Sequence, residues 1–142
     1  MAVYKIKRKN FSNLSENDIK KIIPNSFRGK SLKVKGAEKL EKSNIELIKE
    51  TLGTIENDFL LEREQDRKNN IAPFADLTSF ELKNISKKFY VSEINVDVDK
   101  NRKIVSIYID IDDKQYKGYF WEYDIDIRDG EIFYIDKFAD RL

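Results

Sequence analysis

Between Ile94 and Asp136 apolar and polar residues alternate with a period of two, in runs broken by short polar pairs. That period belongs to a strand with one buried face. Ile94–Asp99, Lys103–Asp112, Gln115–Ile127 and Glu131–Asp136 therefore predict four strands of an antiparallel meander. Lys100-Asn101, Asp113-Lys114 and Asp129-Gly130 connect them, the last being the strongest two-residue hairpin signal.

Upstream the period lengthens. Ser15 reads as an N-cap with Asp18 three residues on, Ile19, Ile22 and Ile23 form a buried side, and Pro24 stops the helix. Residues 2–8 alternate weakly, like a lysine-protected edge strand, and Leu32 and Val34 suggest a short strand. In 43–69, Ile45, Ile48, Leu52, Ile55 and Phe59 are spaced for one helix face behind a Ser43/Glu46 capping box. Gly53 and Asn57-Asp58 admit a hairpin instead, so both readings stand, with the helix preferred. Residues 69–76 read as a loop. Thr78 and Glu81 can cap a further helix with Leu82, Ile85 and Phe89 as its buried positions, although Phe80 and Leu82 also alternate as a strand would.

Treating each connection as a two-residue turn fixes a register. Asp97 then opposes Ile104, Val96 opposes Val105 and Ile94 opposes Ile107; in the next hairpin Asp110 opposes Lys117 and Tyr108 opposes Tyr119. One face carries Ile94, Val96, Val105, Ile107, Ile109, Ile111 and Phe120. The other carries Tyr108, Tyr119, Trp121, Tyr123, Ile125, Ile127, Ile132 and Tyr134, an aromatic surface that must meet residues 1–42, another chain or a ligand. Three Asp-x-Asp pairs lie in these runs. Asp97/Asp99 and Asp110/Asp112 share a face about 20 Å apart. Asp124/Asp126 fall on the opposite face, unless a bulge near Gly118 flips the register.

Composition narrows the chemistry. The 142 residues contain neither histidine nor cysteine, which removes Ser-His-Asp and Cys-His nucleophiles, histidine-ligated metals, thiolate zinc and disulfides. Carboxylate pairs, lysine, tyrosine and carboxylate-held magnesium remain. The net charge of +1 conceals an asymmetry. Residues 1–42 carry twelve Lys/Arg against four Asp/Glu, whereas 91–142 carry eight against thirteen. No apolar run has the length of a membrane span, and no apolar stretch follows the charged N-terminus, so a soluble cytoplasmic protein is expected.

Tested motifs fail. Counted from Asp97, a calcium loop would have Arg102 where glycine belongs and Tyr108 where glutamate belongs. Arg28-Gly29-Lys30-Ser31 ends like a phosphate-binding loop, but Pro24 stands at its first glycine.

Gly118-Tyr119-Phe120, Asp124-Ile125-Asp126 and Asp129-Gly130-Glu131-Ile132, within Val91–Phe138, resemble the closing strands of small bacterial α+β domains. Many of those are immunity proteins of toxin–immunity systems. Leu52-Gly53-Thr54-Ile55 is similar to an early element of such domains, which favours a strand there. The resemblance implies a binding protein that occludes a cognate toxin's active site or docks beside it.

The expectation is a single α+β domain over residues 1–142. It has a basic N-terminal segment at 1–42 and a four-stranded antiparallel meander at 91–138 packed with N-terminal and central helices. No catalytic residue, metal or cofactor is expected. Asp97, Asp99, Asp124 and Asp126 would face a basic partner protein, with Tyr119, Trp121 and Tyr123 as anchors. The alternative is a phage or mobile-element accessory protein that acts on nucleic acid or its machinery through residues 1–42. A further alternative is a magnesium-dependent enzyme with Asp97 and Asp124 brought together by a bulge.

Overall fold

A computed structural model describes residues 13–24 and 27–141 of the chain. The expected edge strand at 2–8 lies outside them. Helix α1 (Glu16–Ile22) is closed by the expected box: Asp18 N–H donates to Ser15 Oγ at 3.2 Å, and Ser15 N–H to Asp18 Oδ2 at 2.8 Å. Ile19 and Ile23 are buried beneath it.

Strand β1 (Arg28–Lys35) follows, longer than Leu32 and Val34 suggested. Gly36 then turns the chain at φ +78°, where a Cβ would come within 2.3 Å of the Val96 carbonyl oxygen. Only glycine satisfies both conditions.

Residues 45–68 settle the helix-or-hairpin question. They form α2 (Ile45–Lys68), 24 residues long, and the strand suggested for Leu52-Gly53-Thr54-Ile55 is absent. Ile48, Thr51, Leu52, Ile55, Phe59 and Arg63 face inward at helical spacing, whereas a Cβ on Gly53 would meet nothing within 4 Å. Burial of one continuous stripe outweighs the propensity cost of a single solvent-side glycine, about 1 kcal/mol. The start differs from expectation. A 3₁₀ turn over Lys42–Asn44 runs into α2, so Ser43 is not its cap. Helix α3 (Ser79–Ser86) has the Thr78/Glu81 box in place and buries Leu82. Phe80 is exposed and Phe89 belongs to the next strand.

Strands β2 (Phe89–Asp99), β3 (Arg102–Ile111), β4 (Tyr119–Arg128) and β5 (Glu131–Arg141) are the meander. The sheet has five strands rather than four, in the order β1-β2-β3-β4-β5. β1 runs parallel to β2 and the other pairings are antiparallel. A parallel pair needs a crossover, which α2 and α3 supply. The hydrophobic residues of the helices and of one sheet face join in a single core. Phe59 sits at its centre, in edge contact with Phe27, Phe89 and Trp121 at ring-centroid distances of 5.8, 4.8 and 5.4 Å.

The first hairpin has the expected register: Asp97 opposes Ile104, Val96 opposes Val105 and Ile94 opposes Ile107. The second does not. Asp110 opposes Phe120, Tyr108 opposes Glu122 and Ile107 opposes Tyr123, three positions away from the two-residue-turn register. Between β3 and β4 lies a longer connection with a 3₁₀ turn over Lys114–Tyr116 and Gly118 at φ +96°. It buries Tyr116 against Phe74, 5.5 Å between ring centroids, and is tied down by Lys88 Nζ on Asp113 Oδ2 at 2.8 Å. An odd shift moves every β4 side chain to the other face.

Candidate functional site

This flip decides where the candidate residues stand. Trp121 and Tyr123 are 4% and 3% exposed on the helix-covered face, and Tyr119 is half-buried against the same core. Trp121 packs on Phe59 and Phe74 and lies 5.2 Å from the Arg63 guanidinium carbon. Tyr123 donates its hydroxyl to Asp58 Oδ2 at 2.8 Å, and burial together with that carboxylate raises its pKa. These aromatics are core residues of the domain.

The same flip brings the Asp-x-Asp pairs onto one face. Asp97 pairs with Ile104 and Ile104 with Asp126, so a single cross-strand row runs from Asp97 to Asp126 and on to Tyr134. The adjacent row holds Asn95, Ser106, Asp124 and Asp136, and the next holds Glu93, Tyr108, Glu122 and Phe138. Rows of this kind place side chains within about 5 Å of their neighbours. No described helix covers this face.

Its two halves differ electrostatically. Near the hairpin tips the acids have cations beside them: Asp126, 3% exposed, lies 3.2 Å from Arg128 and 3.7 Å from Arg102. Asp99 lies 3.3 Å from Arg102, and Asp97 lies 3.8 Å from Lys39. Mid-sheet, no described lysine or arginine forms an ion pair with Glu122 or Asp124. Burial, and then the neighbouring Asp124 carboxylate, push the Glu122 pKa up to about 7. Asp124 Oδ1 is buried without a hydrogen-bond partner. Beside them is a shallow depression of about 260 Å³ lined by Ser92, Glu93, Tyr108, Asp110 and Phe120. Phe138 and Tyr134 are 49% and 48% exposed on the same face, while Phe133 stacks on the Arg128 guanidinium at 3.9 Å.

Among the described residues no group of three or more acidic side chains is arranged to hold a metal ion. No described helix is long and apolar enough to cross a membrane. Comparison with known proteins finds no matching family model, and no curated protein or solved structure matches the chain.

Turn length concealed Glu93, Tyr108, Phe120, Glu122, Asp136 and Phe138 as neighbours. The signal that reveals them is the alternation within β4 itself. Tyr119, Trp121, Tyr123, Ile125 and Ile127 are one apolar set, and Glu122, Asp124 and Asp126 belong to the other. Placing the apolar set on the buried face yields the observed register.

Proposed function

We propose that the chain is a non-enzymatic protein-binding module, of the immunity or inhibitor kind, that neutralises a partner protein through the open face of its sheet. The observation that carries this reading is a sheet surface covered by no described helix, on which carboxylates that no described lysine or arginine pairs are interleaved with exposed aromatic side chains. Aromatics supply contact area at small entropic cost, and desolvated carboxylates gain most from a partner's lysine or arginine. The depression between Tyr108 and Phe120, rimmed by Glu93 and Asp110, has the dimensions of one such side chain. Exposed Asp97 and Asp99 at the tips would chiefly steer association. A face of this sign repels phosphate, which disfavours nucleic acid here.

Affinity capture from native lysate, at low and moderate salt and after nuclease treatment, tests the reading. A single protein retained in near-stoichiometric yield, and lost when Tyr108→Ala is used as bait, is the expected result. Retention only of nucleic acid, released by nuclease or salt, would overturn it and favour the basic N-terminal segment as the working surface.

A further inference from the structure

β5 closes the sheet on one side, and no described strand lies beyond it. From Tyr134 to Ala139 its pairing with β4 is regular. The Lys137 N–H turns away from β4 and donates instead to Asp136 Oδ1, the side chain of its own neighbour, at 3.1 Å. Backbone groups of an antiparallel strand alternate in direction, so Ile135 and Ala139 also present theirs outward. We propose that this edge pairs with an extended segment of a partner protein that carries a lysine or arginine opposite Asp136 and apolar residues two positions to either side. The inference deepens the docking reading, on which it rests for the existence of a partner, and adds where and in what conformation that partner binds.

Charge selects the central residue. Asp136 is exposed and stands directly opposite Asp124 in the β4–β5 ladder, on the face that no described helix covers. Like charges opposed across a ladder are unfavourable. No described lysine or arginine forms an ion pair with either, and Asp124 Oδ1 is buried without a partner. A strand added outside β5 sets one side chain about 5 Å from Asp136, where a cation relieves the pair. The same cation draws the Asp136 carboxylate off the Lys137 N–H and frees that donor for the incoming backbone. Asp136 thus protects the edge of the free protein and selects what pairs with it.

The flanking positions follow from the same strand. Tyr134 and Phe138, both exposed, offer apolar surface to residues two positions from the cation. On the helix-facing side Lys137 already lies on Asp58 and Glu62 of α2, so the intervening residues of the segment should be uncharged. A second copy of this chain is a poor occupant, because pairing two β5 strands about their midpoint sets Asp136 against Asp136.

Titration of the whole chain with the peptide acetyl-Thr-Val-Thr-Lys-Thr-Val-Thr-amide, followed by NMR and amide hydrogen exchange, tests the proposal. Saturable binding on the order of millimolar affinity is expected, with slowed exchange at Ile135, Lys137 and Ala139. Glutamate in place of the lysine should weaken binding at least about tenfold. N-methylation of every second peptide amide, tried in both phases, should do the same in one phase. Asp136→Asn should reduce the preference for lysine over glutamate about tenfold. No saturable binding, equal binding of the lysine and glutamate peptides, or indifference to N-methylation in both phases would overturn the proposal. So would a concentration-dependent dimer of the free chain with the same three amides protected, which assigns the edge to a second copy. Capture of a protein partner beside an edge that takes no peptide overturns this inference alone. An edge that takes the peptide while lysate capture yields only nucleic acid overturns the docking reading and not the edge.

Discussion

Glu122 is the residue at which the open face acts most strongly on the chain itself. It is half-buried, stands two positions from Asp124 on one strand face, and opposes Tyr108. Its carboxyl is raised from the ordinary 4.5 to about 7, first by burial and then by Asp124. A raised acid binds its proton more tightly in the folded state than in the unfolded state. Stability therefore falls as pH rises from about 4.5 to about 7, and is flat above. Glu122→Gln should remove this slope and add about 1 kcal/mol at pH 8, once solvent screening is allowed for. Chemical denaturation at pH 5 and pH 8 checks it; parallel pH dependence in the two proteins would contradict it. A partner cation at this position would release the proton, so binding should be proton-linked near neutrality.

At the scale of elements, α1 and the first hairpin are legible because local signals agree with one another, and α2 because its apolar stripe outweighs the contrary signals at Gly53 and Asn57-Asp58. Ser15 and Asp18 close a cap, one apolar stripe runs from Ile48 to Phe59, and Lys100-Asn101 alone separates two alternating runs. The β3–β4 connection is not, because Tyr116 sits within a polar string and its burial against Phe74 is a tertiary fact. The parallel pairing of β1 is equally non-local. The basic stretch that contains it shows no partner until the α2–α3 crossover brings β2 alongside. Two glycines, Gly36 at the start of the crossover and Gly53 within α2, should respond oppositely to alanine. Gly53→Ala, in open space on a helix, should stabilise by about 1 kcal/mol. Gly36→Ala, forced to φ +78° against the Val96 carbonyl, should cost about 2 kcal/mol or more. Thermal unfolding of the two variants separates these signs, and a neutral Gly36→Ala would refute the close approach.

At the scale of the whole molecule, one sheet divides two environments. Its helix side holds the aromatic core around Phe59. Its open side collects the acidic pairs that lie far apart along the sequence. Legibility stops at this surface: the acids and aromatics could be read from the chain, but a three-residue shift decides which of them are neighbours. Charge reversal by Asp136→Lys together with Phe138→Ser alters two exposed side chains of the edge strand β5 and removes nothing from the core. Partner retention by this variant, compared with the native chain at matched thermal midpoints, measures the docking face directly. A loss of about tenfold or more is expected, in keeping with removal of one aromatic contact and inversion of one charge. Equal retention of the same partner by both proteins would contradict it.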